Sequence, residues 1–265
     1  MKNFWTYLKI SIKSKLYYRT SFILNMISPI IVLCGQVLLW KGIFKLNNAS
    51  DFADMSRNAM FSYILIAFVL NNSLNWSTEN SLSKDIRNGT VVSKMIRPTT
   101  FLSQNIADMF GGVLIQGLFY TLLVIVIFFI AAKDLFVPSF SNLLLFVLSA
   151  ILGMILRLMI NDFFSLLCFF VTGYLGIAWL KNAITNFFSG AMIPITLFPV
   201  TLKSIAGYLP FKYMIQVPIS FFLGEYTFAD GIKTYTVQIL WILFFIILHC
   251  LIYRKIRINL VIAGG

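Results

Sequence analysis

One stretch of this sequence, residues 190–224, limits the possible folds more than any other. It reads GAMIPITLFPVTLKSIAGYLPFKYMIQVPISFFLG, and its only charges are two lysines. Four of the chain's seven prolines interrupt it: Pro194, Pro199, Pro210 and Pro218. A straight spanning helix would lose a backbone hydrogen bond at each internal proline, and lipid offers no water to replace it. We therefore predict a pair of short, broken helices that dip into one face of a membrane and pack against protein.

The composition places the rest of the chain in the membrane as well. The sequence is 59% hydrophobic and 11% charged, with a mean hydropathy of +0.88, whereas soluble domains have about 25% charged residues. Its 265 residues leave room for about six spans of roughly 20 residues each. We predict an all-α integral membrane protein, with six transmembrane helices, an N-terminal interfacial helix and a re-entrant helix pair before the last span, all in a single domain over residues 1–265.

The apolar runs give approximate bounds for these elements. The first three spans are expected near 20–44 (kinked or locally unwound at Pro29), 58–77 and 101–131. The fourth begins near 141, the fifth ends near 191, and the sixth is expected near 232–253. The junction between the fourth and fifth spans is expected near 169–174. Ahead of the first span, residues 3–18 place Phe4, Leu8, Ile12 and Leu16 on one face with lysines around them. That pattern is typical of a helix at the membrane interface, and an ordinary charged tail is the alternative.

The distribution of basic residues predicts the orientation. With six spans, twelve of the 21 lysines and arginines lie on the side of the two termini, and seven lie on the other side. The positive-inside rule then places both termini and the loop between the second and third spans in the cytoplasm. The chain is accordingly expected in the inner or plasma membrane as a multi-pass protein, with residues 190–224 on the outer face.

Motifs for catalysis or metal binding are missing from the sequence. It contains no GxxxxGK[ST], HExxH or GxSxG pattern, and its three cysteines form no CxxC pair. The single histidine, His249, is more typical of a packing residue than of a ligand. We therefore expect no catalytic residue, no metal site and no cofactor on this chain.

Four ionisable residues fall at membrane depth: Asp108, Arg157, Asp162 and Lys181. Such residues are costly in lipid and usually face a cavity or one another. Arg157 and Asp162 are five positions apart, off the three or four that bring helix neighbours together, so a direct pair is not expected. Snorkelling and interhelical pairing are favoured over substrate binding or proton relay.

The basic segment, residues 79–100, carries the most specific local pattern. Asn88-Gly89 is typical of a helix end with glycine in the left-handed conformation, and Pro98 ends a second short helix before the third span. That second helix carries a small apolar patch of Val91, Val92, Met95 and Ile96. A short helix of this kind either docks into a groove on a partner or serves only as a positive-inside anchor, and the pattern leaves both open.

Two stretches resemble the membrane subunit of a type-2 ABC exporter, the six-span bacterial ABC-2 family transporter protein. IRNGTVVSKMIRPTT is similar to the family's first cytoplasmic loop, in which a glycine and apolar residues precede Arg-Pro and the third span. SGAMIPITLFPVTLKSIAGYLPFKYMIQVPISFFLG is similar to the family's run of small-Gly, Ile-Pro, Phe-Pro, Leu-Pro-Phe, a later Pro and a closing Gly. The order of parts, with these two motifs at the corresponding positions, resembles the family over nearly the whole chain.

The resemblance assigns roles to three parts of the sequence. Residues 3–18 would be a connecting helix at the cytoplasmic surface. The basic segment would couple to the ATPase through Lys84, Asp85, Ile86, Arg87, Gly89, Val92, Ile96, Arg97 and Pro98. Residues 190–224 would form a re-entrant gate that includes Gly190, Pro194, Phe198, Pro199, Pro210, Phe211, Pro218 and Gly224.

The resemblance also implies partners and a function. Two ABC ATPase subunits would carry ATP and Mg, and a second permease chain, identical or homologous, would complete the membrane unit, with membrane lipids around it and no nucleic acid bound. The chain itself would be no enzyme and would export an amphipathic or hydrophobic drug, peptide or lipid. A membrane-embedded lipid-modifying enzyme, and an ATP-independent channel or assembly factor, are the alternatives.

Overall fold

The structure, a computed structural model, describes residues 2–17, 19–46, 51–52, 55–73, 82, 84–86, 88, 90–91, 93, 96, 100–131, 135–171 and 174–263. Its longer helices are α1 (Lys2–Tyr17), α2 (Arg19–Leu46), α3 (Arg57–Ser73), α4 (Phe101–Ile130), α5 (Phe140–Leu167), α6 (Tyr174–Phe188), α7 (Val200–Tyr208), α8 (Gln216–Phe222) and α9 (Phe228–Ala263). A small antiparallel pair, β1 (Asp51–Phe52) and β2 (Met55–Ser56), precedes α3.

Four helices in the described ranges are long and apolar enough to cross a membrane. They are α2 from Ile23, α4, α5, and α9 as far as Ile256. Helices α3 and α6 have 17 and 15 residues, about 25 and 22 Å at 1.5 Å per residue, against a hydrocarbon core of about 30 Å. The chain is therefore a nearly all-helical integral membrane protein, and length and composition support four of the six predicted spans. The predicted junction between the fourth and fifth spans agrees with the end of α5 and the start of α6.

Contacts between helices fix their relative directions. Helices α5 and α9 run parallel, because the residues that pair between them keep a nearly constant separation of 90, 89 and 87 positions: Leu145 with Tyr235, Ser149 with Gln238, and Asp162 with His249. Helix α3 runs antiparallel to α4, because Phe68 contacts Tyr120 while the later Ser73 lies against the earlier Gly117. It also runs antiparallel to α2, because Phe61 contacts Phe44 near the end of α2, whereas Asn71 and Asn72 share a cleft with residues from the first half of α2.

Helix α3 lies at the centre of the bundle. All nine residues from 60 to 68 are buried, and the helix packs against α2, α4 and α8. A helix that is apolar on every face is stable only where protein or lipid surrounds it completely. Neighbouring helices largely surround α3, so this short helix lies inside the bundle.

Helix α2 passes through Pro29 without a break, so the prediction of local unwinding there is wrong. A proline removes the donor that would reach the carbonyl four residues earlier, which is that of Asn25. The hydroxyl of Tyr120, on α4, donates to this carbonyl at 3.3 Å. The neighbouring helix thus replaces the lost hydrogen bond, as a helix in lipid requires.

Helix α1 packs along the first half of α4. Leu8, from the predicted apolar stripe, is buried and Ile12 is half-buried. Between them, the Ser11 hydroxyl donates to the Asp108 carboxylate at 2.7 Å. A Cβ added at Gly111 would lie 2.6 Å from Ser11 Oγ, so this glycine permits the close approach. The predicted helix is present; its place at the membrane interface stays a prediction.

The proline segment, residues 190–224, consists of short helical pieces, as its sequence predicts. Two 3₁₀ turns, Ile195–Leu197 and Phe211–Met214, alternate with α7 and α8. Pro194, Pro199 and Pro210 each stand directly before one of these pieces. Pro218 lies in the first turn of α8, where backbone N–H groups have no helical acceptor to lose. The predicted dip of this segment into one face of the bilayer stays a prediction.

Candidate functional site

The basic segment packs onto the ends of three long helices. Leu82 and Val91 are buried in one apolar cluster with Phe101 at the start of α4, Leu166 at the end of α5, and Ile256 near the end of α9. Ile86 packs against the same cluster. The basic segment therefore contacts the ends of three helices that belong to separate parts of the chain.

The predicted coupling residues that the structure describes lie at different depths. Lys84 is exposed, Asp85 and Ile86 are half-buried, and Ile96 is 77% exposed. The remaining predicted residues, Arg87, Gly89, Val92, Arg97 and Pro98, lie outside the described residues. Of the predicted apolar patch, the structure describes Val91, which is buried against the protein's own interior, and Ile96, which is exposed.

A stack of aromatic rings leads inward from this cluster. The ring of Phe101 stacks on Tyr253 at 5.5 Å between centroids, and Tyr253 stacks on His249 at 5.7 Å. His249 Nδ1 hydrogen-bonds to Asp162 Oδ2, and Asn105 Nδ2 donates to the other carboxylate oxygen at 3.0 Å. These contacts tie α4, α5 and α9 together through buried polar groups.

A second buried amide joins α5 and α9 to the proline segment. The side chain of Gln238 is fully buried, and its Nε2 donates to the carbonyl of Tyr213 at 2.8 Å and to that of Ser149 at 3.1 Å. Beside it, a Cβ added at Gly153 would lie 2.9 Å from the Tyr213 carbonyl and 3.1 Å from that of Met214. Gly153 therefore lets the turn Phe211–Met214 press directly against the middle of α5.

A third amide holds the start of the proline segment. Gln216 Oε1 accepts hydrogen bonds from the Tyr63 hydroxyl at 2.7 Å and from the Ile195 backbone N–H at 3.0 Å. The Tyr63 hydroxyl also lies 2.7 Å from the Gly190 carbonyl. We call Tyr63, Gln216, Gly190 and Ile195 the glutamine hub. It fastens α6, the first 3₁₀ turn and α8 to the central helix α3.

The predicted gate residues are distributed around this hub. Gly190 and Gly224 mark the two ends of the proline segment and both have positive φ, +83° and +76°, a conformation that glycine adopts without strain. Pro194, Pro210, Phe211 and Pro218 are buried, Phe198 is half-buried, and Pro199 is exposed. Phe198 also stacks on Phe187 of α6 at 5.0 Å.

The four predicted intramembrane ionisable residues are not brought together at one point. Asp108 binds Ser11, while Asp162 binds Asn105 and His249. Arg157 is 6% exposed and donates to Asn71 Oδ1 of α3 at 2.9 Å, so it does not pair with Asp162, as their spacing predicts. Lys181 is buried on α6. The contacts of Asp108, Arg157 and Asp162 are thus hydrogen bonds to side chains on other helices, as the predicted interhelical pairing requires.

Sequence reasoning missed Tyr63, Gln216 and Gln238, whose side chains hydrogen-bond the proline segment to the long helices. Each is an uncharged polar side chain within an apolar helix, a class that was passed over in favour of charged residues. An amide in a lipid-embedded helix needs a partner for the same reason that a charge does, and that signal was present in the sequence. The pairing of His249 with Asp162 carried no signal, because the two are far apart in the chain.

Metal-binding chemistry finds no support in the described ranges, which contain no group of three His, Cys, Asp or Glu side chains placed to hold an ion. The Asp162–His249 pair is excluded from solvent at 1% and 5% exposure. The nearby Ser165 hydroxyl donates to the backbone carbonyl of Asp162. The arrangement is therefore that of an interhelical tie.

The apolar helices, the buried contacts between them and the proline-broken segment define a multi-pass membrane protein. A family profile described as ABC-2 family transporter protein matches residues 30–264. The chain therefore belongs to the ABC-2 transporter family, as the resemblance of its two motifs predicted. It is the permease component of an ABC transporter, a transport subunit whose class works with an ATPase partner. No curated protein gives a match to this chain.

Proposed function

We propose that this chain is the membrane subunit of an ATP-driven exporter, in which ATPase movement at the basic segment reaches the proline segment through α5 and α9. The observation that carries the proposal is the continuous buried packing from Leu82 and Val91, through Phe101 and the helix ties, to the Tyr213 carbonyl. Two parallel helices joined at three levels resist bending better than one, and so pass displacement from one end to the other.

The direction of the helices supports six spans. Because α5 and α9 are parallel, the chain between them must return across the bundle, and α6 is the helix available to do so. Helix α3 likewise returns the chain between α2 and α4. With α6 and α3 as short spans, both termini lie on one side, and the distribution of basic residues assigns that side to the cytoplasm.

The contact at Gly153 supports a re-entrant proline segment. Gly153 is the fourteenth residue of α5, about 20 Å from its first residue at 1.5 Å per residue. In the six-span arrangement proposed here, a turn that touches α5 at this depth would lie about halfway through the bilayer from the outer side. The buried positions of Pro210 and Phe211 agree with this, because irregular backbone at such depth requires protein around it.

In the proposed cycle, two permease chains stand over two ATPase subunits that bind ATP and Mg. Closure of the ATPases displaces the basic segment, α5 and α9 move with it, and the glutamine hub shifts the proline segment over the exit. The cargo is an amphipathic or hydrophobic drug, peptide or lipid. Neither alternative function gains an observation, since the Asp162–His249 pair is enclosed and tied to Asn105.

The proposal is tested by replacing Ile96, the exposed apolar residue of the basic segment, with aspartate. Co-purification with the ATPase and transport-coupled ATP hydrolysis should both fall, because a charge replaces the group offered to an apolar groove. The matched control is Val137→Asp, an exposed position (70%) in the loop between α4 and α5. Equal ATPase recovery with Ile96→Asp and with the unchanged chain would contradict the docking assignment.

A further inference from the structure

A polar cleft of about 260 Å³ opens between α2, α3, α6 and the start of the proline segment. Half of its lining consists of uncharged hydrogen-bonding side chains: Ser28 and Gln36 of α2, Asn71 and Asn72 of α3, and Asn186 of α6. Four of these five side chains are amides, more than at any of the buried contacts described above. Amide groups at membrane depth are costly unless something satisfies them.

The contacts of these amides show which groups remain for a ligand. Arg157 can only donate, so the Asn71 atom that it contacts at 2.9 Å is the oxygen, and the Asn71 NH₂ remains available. Asn72 Nδ2 donates back to the Phe68 carbonyl at 2.9 Å, which leaves its oxygen available. Ser28, Gln36 and Asn186 use none of their polar atoms in contacts among the described residues. The cleft thus offers donors and acceptors side by side.

The rim of the cleft is apolar and exposed. Val32 and Met192 line it and are each 59% exposed. Its volume is below the range of about 300–1,000 Å³ that is usual for pockets enclosing a whole small molecule. It therefore suits one small headgroup, with the apolar remainder of the ligand left against the rim and the surrounding lipid.

We propose that this cleft binds the uncharged, hydroxyl-rich headgroup of an amphipathic ligand, with Arg157 acting as a positioning residue that fixes the orientation of Asn71. The proposal rests on the proposed transport function, because it identifies the chemical class of molecule that the permease receives from the bilayer. Paired donors and acceptors match hydroxyl groups, which both donate and accept. The described lining contains no charged side chain, and Arg157 contacts Asn71 without itself lining the cleft.

The test uses the full-length chain in phosphatidylcholine nanodiscs, without nucleotide. Three lipids carry the same diazirine-labelled acyl chains but differ in headgroup: glucosyl diacylglycerol, phosphatidic acid and diacylglycerol. Photolabelling of the peptides that contain Val32 and Met192 is measured by mass spectrometry. We expect the glucosyl lipid to label them about tenfold more strongly than diacylglycerol, the ratio that corresponds to about 1.4 kcal/mol of net hydrogen bonding.

Variants separate headgroup binding from general effects. Asn186→Leu should lower glucosyl labelling to the diacylglycerol level, whereas Asn182→Leu should not, since Asn182 is exposed one turn earlier on the same helix. Gln36→Leu provides the same readout if Asn186→Leu does not fold. Arg157→Leu should lower glucosyl labelling selectively, with diacylglycerol labelling unchanged, because it frees Asn71 to rotate.

Three outcomes would overturn the proposal. Equal labelling by diacylglycerol and the glucosyl lipid would show that the headgroup does not contribute to binding. Stronger labelling by phosphatidic acid would show that the site prefers an anionic headgroup. Competition by free glucose as strong as that by octyl glucoside would show that the ligand needs no apolar part. Labelling is measured without an ATPase, so failure of the Ile96 experiment with intact labelling would contradict the proposed coupling and leave the headgroup site standing.

Discussion

Replacing Gly190 with alanine tests the glutamine hub most directly. Gly190 has φ +83°, and a Cβ there would lie 2.6 Å from the Tyr63 hydroxyl and 2.9 Å from Gln216 Oε1. The left-handed conformation costs a non-glycine residue about 1–2 kcal/mol. Displacing the buried Tyr63 hydroxyl from its acceptors adds about 1–3 kcal/mol. We expect the free energy of unfolding to fall by about 3 kcal/mol, measured by equilibrium denaturation in mixed micelles.

The matched control is Gly176→Ala on α6, the helix that ends two residues before Gly190, where a Cβ would meet nothing within 4 Å. That change should be neutral or should stabilise by up to about 1 kcal/mol, since alanine favours the helix interior. In a Tyr63→Phe background the closest clash is absent, so Gly190→Ala should cost about 1–2 kcal/mol less than in the unchanged chain. If Gly190→Ala and Gly176→Ala unfold alike, or if the Tyr63→Phe background makes no difference, the account of the hub is wrong.

Two further changes test the other buried ties by the same denaturation assay. Tyr120→Phe leaves the Asn25 carbonyl beside Pro29 without its donor and should cost about 1–2 kcal/mol; no loss of stability would show that this hydrogen bond does not support the helix. His249→Leu leaves the Asp162 carboxylate buried without its imidazole partner and should cost about 3 kcal/mol or more, whereas leucine at both positions should recover most of that loss. A double variant as unstable as the single one would refute the pairing.

The sequence predicted most elements of the fold because lipid imposes simple rules on a chain. An apolar run of about 20 residues has few structures available to it other than a helix, so α2, α4, α5 and α9 followed from hydropathy. The prolines predicted the pieces of the proline segment, since each can stand only outside a helix or in its first turn. Of the two possibilities predicted at Pro29, a kink or local unwinding, the unwinding is wrong, because a distant residue, Tyr120, supplies the missing hydrogen bond.

The candidate site was less accessible from the sequence. Motifs located the basic and proline segments, because local spacing determines where short helices begin and end. The ties between helices depend on residues such as Asp162 and His249, separated by 87 positions, and no local pattern indicates which distant side chain completes a pair. The same holds for Asn71, whose orientation depends on Arg157 from another helix.

The sequence by itself determined that this chain is a helical membrane protein with a proline-broken segment, because hydrophobicity and missing N–H donors act locally. Only the tertiary structure decided that α5 and α9 run parallel, that Gln216 fastens the proline segment to α3, and that four amides meet in one cleft. These features depend on how helices pack against one another. In lipid, where apolar burial between helices contributes little, small residues and polar pairs that lie far apart in sequence determine that packing.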